Sequence, residues 1–335
     1  MQNKQIFIGL DMAKVTFTAA MVTENNPSVF NEERFSNDKK GYLKLLSWID
    51  QCKYNRDQTL ICLEHTGVYS KGLGMFLAEK GVSYSLLSGL HLKRSLGIRR
   101  GKSDKADAKD IARYALNNRR YLKQTVLPEQ IIVRLKDKLA ERQRVVKARK
   151  MLATPISEKK SVGLKTPKSE HRQSLSLITH LTKAIQLLNK EIESIIKSDE
   201  KLKNASDLLC SIPGIGPQIA AELLVVTNSF ANFENSRKLA CYVGIAPFEY
   251  TSGTSIKGKT KVSHLADKNL KSLLTMAALN AMRCDRELKI YYNRKLAEGK
   301  HFGVVINAIK NKILARAFAV VKRGTPYAQM ATYAN

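Results

Sequence analysis

The chain has 335 residues, enough for two domains with a core each, and its 57 Lys and Arg against 29 Asp and Glu give a net charge of +28. An excess of that size points to a polyanionic partner, nucleic acid first, and away from a small neutral metabolite. No apolar stretch approaches the roughly 20 residues that span a bilayer and no signal-peptide pattern opens the chain, so no membrane partner is expected.

From the N-terminus, strand patterns fall near residues 5–11, 15–23, 29–35, 59–64 and 82–87, and helical patterns near 39–52, 69–80 and 105–118. Three strands followed by alternating helices and strands is the order of an α/β, RNase H-like sheet. Asp11 closes the apolar run Ile6-Phe7-Ile8-Gly9-Leu10, and Glu64 closes Leu60-Ile61-Cys62-Leu63 before Thr66-Gly67 breaks the strand. Asp104 and Asp107 lie three apart at the start of the third helix and share a face of its first turn. Any one of these acids alone reads as a surface charge, or for Asp104 as a helix N-cap. Four of them in the order strand, strand, helix form an oxygen-rich set suited to hard divalent cations, which can clamp both oxygens of a phosphodiester under attack. Asp110, one turn beyond Asp107, ranks lower because it projects farther from the strand ends.

Ahead of the Asp104 helix runs a cationic loop containing Lys93, Arg94, Arg99, Arg100 and Lys102, read as a phosphate-attracting segment leading to the acids. Cys52, Cys62, Cys210, Cys241 and Cys284 show no CxxC spacing and read as reduced residues of a cytoplasmic protein. The histidines show no metal-ligand spacing either.

Between about 126 and 204 the pattern becomes heptad-like. Ile178, Leu181, Ile185, Leu188, Ile192 and Ile195 recur at spacings of three and four, with a weaker series Ile132, Leu135, Leu139 and Val146 upstream. Thr154-Pro155 and Thr166-Pro167 are expected to break the two segments, giving an antiparallel coiled-coil hairpin that serves as spacer or dimerisation arm. From 205 to 328 the chain reads as mainly helical. Pro213-Gly214-Ile215-Gly216-Pro217 between helical stretches resembles a helix-hairpin-helix, with Gly214 and Gly216 shaping a backbone phosphate cradle. Thr251-Ser252-Gly253 sits in a polar loop that leads into Lys257, Lys259 and Lys261. Alone it is an ordinary turn, because no nearby His or Asp activates the serine.

Taken in order, Leu10-Asp11, Glu64-His65-Thr66-Gly67, Ser103-Asp104-Lys105-Ala106-Asp107, Pro213-Gly214-Ile215-Gly216, Gly244-Ile245-Ala246-Pro247, Thr251-Ser252-Gly253 and Asn269-Leu270-Lys271 resemble the DEDD transposases of the insertion-sequence-one-ten family, relatives of the pilin-gene invertase. The series spans nearly the whole chain, and it departs from the family only where Asp267-Lys268 stands in place of the common Arg-Gly. The resemblance implies a RuvC-like domain over 1–125, a coiled-coil hairpin over 126–204 and a helical transposase domain over 205–328. It implies Mg²⁺, with Mn²⁺ as the alternative, on Asp11, Glu64, Asp104 and Asp107, and Ser252 as a covalent nucleophile. It further implies donor and target DNA, a structured guide RNA, a homo-oligomer, dimer or tetramer, and a bacterial or archaeal cytoplasm. The competing readings are a DNA invertase of the same family, a RuvC-type junction nuclease that needs no serine, and a non-catalytic nucleic-acid-binding protein.

Overall fold

The computed structural model describes residues 4–51, 56–95, 97, 103–164, 168–252 and 255–328. They fall into two compact units, Met1–Leu127 and Pro128–Asn335.

The first unit contains β1 (Ile6–Met12), β2 (Thr16–Thr23), β3 (Asn31–Ser36), α1 (Lys39–Asp50), β4 (Thr59–Glu64), α2 (Val68–Glu79), β5 (Tyr84–Leu87), α3 (Gly89–Ser95) and α4 (Asp104–Asn118). The strands form one sheet in the order β3-β2-β1-β4-β5. The β1–β2 and β2–β3 pairs are antiparallel, while β4 is parallel to both β1 and β5. This mixed sheet has the RNase H-like order expected from the sequence. Its central strands read as unbroken apolar runs because both of their faces are covered. Ile6, Ile8, Leu10, Ile61 and Leu63 pack with Leu45 and Ile49 of α1 and Leu73 and Leu77 of α2. On the other face Phe7, Leu60 and Cys62 pack with Ile111, Ala112, Ala115 and Leu116 of α4. One expectation is corrected, and the alternative reading of Asp104 as a helix cap is removed. The segment read as a cationic loop begins as helix α3. In α4 the cap is Ser103, whose side chain accepts from Ala106 N, so Asp104 is the first helical residue.

The second unit contains α5 (Gln130–Ser161), α6 (Arg172–Lys197), α7 (Glu200–Cys210), α8 (Pro217–Thr227), α9 (Ser236–Val243), β6 (Pro247–Ser252), β7 (Ile256–Val262), α10 (Lys268–Cys284), α11 (Arg286–Ala297) and α12 (Phe302–Arg323). Helix α5 runs straight through Pro155, contrary to the expected break. Proline removes one backbone donor and frees the carbonyl of Met151, but Met151 is 72% exposed, so water can satisfy that oxygen. Helices α5 and α6 pack through Leu135, Leu139, Ile192, Ile195 and Ile196. Farther along α6, Ile178, Leu181 and Ile185 are only half-buried.

The core of this unit is built around Leu270, Leu274, Ala277, Ala278 and Ala281 of α10 and Ile306, Ile309, Ile313, Leu314 and Ala317 of α12. A polar chain crosses its edge: Gln143 Nε2 donates to Asn269 Oδ1 at 2.7 Å, and Asn269 Nδ2 donates to Glu222 Oε1 at 3.3 Å. Burial, assisted by the nearby Asp267 charge, raises the Glu222 carboxyl above the usual range against the opposing pull of Asn269 and Arg142. Among the described residues no helix is long and apolar enough to cross a membrane.

Candidate active site

Side-chain alternation sets the first part of the site. Phe7 and Cys62 face α4, so Asp11, four residues on from Phe7, and Glu64, two on from Cys62, belong to that same sheet face. The parallel register pairs Leu10 with Leu63, which makes Asp11 and Glu64 the next neighbours on adjoining strands. Both stand where parallel strands end, the edge at which α/β sheets bind ligands. Asp11 and Glu64 are each half-buried. The Glu64 carboxylate lies over Gly89, where a built Cβ would meet Oε1 at 2.0 Å. A side chain at position 89 would therefore displace it.

Helix α4 lies over these acids because Gly9 lets it. A Cβ at Gly9 would stand 2.2 Å from Ala108 O and 2.3 Å from Ala112 N. Glu32 on β3 takes Lys109 Nζ at 2.6 Å and Lys105 Nζ at 3.7 Å, which fixes the flank of α4 nearest β3. At roughly 100° per residue, Asp107 lies about 200° round the helix from both lysines, on the flank turned toward β4. Ile111, one turn on, packs there with Leu87 and Leu92. Asp104 points elsewhere: its Oδ2 lies 3.9 Å from Arg34 Nη2, and both side chains are largely exposed. Arg34 pairs across the sheet with Thr18, and Thr18 with Asp11. A row Arg34, Thr18, Asp11 thus crosses three strands beneath the start of α4. Asp110 pairs with Arg113 at 3.1 Å.

These carboxylates suit a divalent cation by donor chemistry, and Asp11 and Glu64 also by their shared sheet face. Their present arrangement is open: among the described residues, no three His, Cys, Asp or Glu side chains are grouped closely enough to hold one ion. Asp11 and Glu64 are neighbours at the strand ends, Asp107 lies in the first turn of the helix packed on that face, and Asp104 faces Arg34.

Of the expected phosphate contacts, Lys93 and Arg94 occupy the last turn of α3, exposed, on the helix whose first residue abuts Glu64. Arg99, Arg100 and Lys102 lie outside the described residues. Gly214 and Gly216 sit in the turn between α7 and α8, but they differ. Gly214 has φ +93° and is pressed against α10, where a Cβ would meet Ala277 O at 2.3 Å, so its requirement is one of packing. Gly216 has open space around it and serves as the α8 N-cap without a side-chain hydrogen bond.

Ser252 was expected in a loop. It ends β6, in an exposed antiparallel hairpin that pairs it with Ile256 and pairs Thr251 with Lys257. Alternation puts Lys259 and Lys261 on one face of β7, both exposed. The root of this hairpin is fixed. Asn307 Nδ2 and Asn311 Nδ2 donate to Ile245 O at 2.6 and 3.2 Å, and Gly244, at φ +73°, packs where a Cβ would stand 2.4 Å from Ala266 Cβ.

Sequence reasoning passed over Gly9, Gly89, Thr18 and Arg34. A glycine inside a buried strand, two residues before an acid, was the available signal for close backbone approach at Gly9.

Residues 8–158 match the DEDD family of IS110 type described as "Transposase", and residues 206–293 match the "Transposase IS116/IS110/IS902 family". The chain is 29% identical to the pilin gene-inverting protein of Moraxella lacunata, over 96% of this chain and 97% of that protein. It is 31% identical to a protein of insertion element IS110 from Streptomyces coelicolor, over 45% of this chain and 37% of that one. The RuvC structure of Thermus thermophilus aligns with 36% of this chain and 99% of its own at 13% identity and a TM-score of 0.26.

Proposed function

The chain belongs to the IS110 family of DEDD transposases, enzymes of DNA cleavage and strand transfer, and from that premise we propose that it cuts DNA through a four-carboxylate metal site coupled to a serine nucleophile. Asp11, Glu64, Asp104 and Asp107 hold Mg²⁺, or Mn²⁺ in its place, and the acids of α4 close over the strand-end pair when nucleic acid is bound. The observation that carries this reading is the neighbouring placement of Asp11 and Glu64 on one sheet face, under a helix seated by Gly9. The metal supplies Lewis-acid stabilisation of the phosphate oxygens.

Ser252 Oγ attacks phosphorus, giving up its proton. The bond to the leaving deoxyribose oxygen breaks, that oxygen becomes a hydroxyl, and the strand stays joined to the protein as a phosphoserine ester. Because one ester replaces another, a second hydroxyl can reverse the step on a new strand without external energy. The exposed position of Ser252 at the tip of a rooted hairpin supports this role. Lys257, Lys259 and Lys261 on the adjoining strand, with Lys93, Arg94, Arg99, Arg100, Lys102 and the open turn at Gly216, supply phosphate contacts. The net charge of +28 also suits a structured guide RNA beside the DNA. Several strands must be cut together, which calls for a homo-oligomer.

The test is to incubate purified protein with Mg²⁺, candidate flanking RNA and end-labelled DNA. Cleavage that requires metal and survives neither Asp11→Asn nor Glu64→Gln supports the reading, and metal-independent cleavage removes it. One observation favours a second reading, a site-specific invertase: the pilin gene-inverting proteins match over 96% of the chain, the insertion-element relatives over half of it or less. A gene beside a segment found in both orientations would select the invertase, and a gene inside a mobile element the transposase.

A further inference from the structure

Lys310 of α12 is a lysine in a place where lysine is costly. Only 7% of it is exposed, and it sits among the apolar residues that join α12 to α10. A buried ammonium normally meets a carboxylate. Among the described residues, none acts on this one: the neighbouring charge is another cation, Lys271 of α10. Burial first, and the Lys271 charge second, pull its pKa below the ordinary lysine value. The ammonium has no hydrogen-bond partner among the described residues and yet is not among the unpartnered atoms sealed from solvent, so the stem is buried while the head keeps some solvent contact.

The position within the fold adds to this. Lys310 lies one helical turn from Asn307 and directly before Asn311, the two side chains that fix the Ile245 carbonyl and with it the root of the Ser252 hairpin. The acid that caps α10 and the acid of α8 have partners elsewhere, Asp267 accepting from Leu270 N and Glu222 from Asn269 Nδ2. Two lysines on packed helices, with no carboxylate acting on Lys310 among the described residues, form a cationic pair whose charge an anion would balance.

We propose that Lys310 and Lys271 form a DNA phosphate site, in which a backbone phosphodiester is held between α10 and α12 beside the root of the Ser252 hairpin. A phosphate there supplies the absent negative charge, and it fastens one nucleotide to the same helix that fixes the hairpin. The site rests on the chain acting on DNA, but it does not depend on the serine chemistry.

The experiment measures affinity of the full chain for duplex DNA over a range of salt concentrations, without cleavage, for wild type, Lys310→Met and Lys271→Gln. Lys310→Met keeps the stem's bulk and removes the charge; its melting temperature should match or exceed that of wild type. Each variant should weaken binding evenly across sequences and flatten the log–log salt slope by about 0.9, the contribution of one phosphate contact. Lys271→Gln alters a half-exposed residue, so it reads the site even if Lys310→Met fails to fold. Unchanged slopes would overturn the proposal and leave Lys310 as a lysine that reaches water. Loss confined to RNA binding, with the DNA slope unchanged, would equally overturn it. A wild-type slope near zero would instead count against DNA binding as such.

Discussion

Gly9 of the first strand and Ala108 of α4 touch backbone to backbone: a methyl group at Gly9 would lie 2.2 Å from the Ala108 carbonyl oxygen. The contact sets the height of α4 above the sheet, and so the reach of Asp104 and Asp107 toward Asp11 and Glu64. Gly9→Ala should push the helix outward and cost about 1–3 kcal/mol of stability, as overpacking does. Thermal unfolding should show a lowered midpoint, and the protein that remains folded should have lost most of its DNA cleavage. An unchanged midpoint with full cleavage would mean the helix seat is not needed.

Asp11→Asn and Glu64→Gln keep the shape of the strand ends and remove charge. Both variants should retain DNA affinity and thermal stability, while metal-dependent cleavage falls by more than about a hundredfold, the upper figure for losing merely an outer-shell partner of a metal. A gel assay of cleavage against metal concentration checks this. Parallel losses of binding and cleavage would assign these acids a structural role.

If Asp104 is a metal ligand, as proposed, Arg34 competes with the cation for it. The ion pair spans 3.9 Å between exposed side chains, so Arg34→Gln should leave stability within about 0.5 kcal/mol. Its effect should appear in metal titration, with half-maximal cleavage reached at a lower concentration than in wild type. A shift to higher concentration would make Arg34 a support of the site instead.

Glu222 gives a dependence on pH. Its carboxyl pKa is raised in the folded chain, chiefly by burial. The folded state therefore holds the proton more tightly than the unfolded chain, and stability declines as pH rises from the ordinary glutamate range through the raised value. Glu222→Gln removes that decline. The variant should melt like wild type in acid and above it at neutral pH, and a difference that is constant with pH would contradict the assignment.

The first unit was legible because its information is local. Apolar runs fixed β1 and β4, and their terminal acids followed from where the runs stop. Helix α3 escaped because Leu90 and Leu92 are too few to mark a period within so many cations. Pro155 misled because the rule against proline assumes a buried helix, and this stretch is wet. The hairpin carrying Ser252 is exposed along all of β6, so it has no alternating pattern to read. Gly9 against Ala108, and Gln143 against Asn269, join residues far apart in the chain, and no window of sequence contains both partners.

The most direct test is peptide mapping of the protein–DNA adduct formed with Mg²⁺ on labelled DNA, in wild type, Asp11→Asn and Ser252→Ala. The label should sit on the peptide containing Ser252 in wild type and be absent from both variants. Full strand cleavage by Ser252→Ala, with no adduct in wild type, would show that water performs the attack and that the serine takes no part.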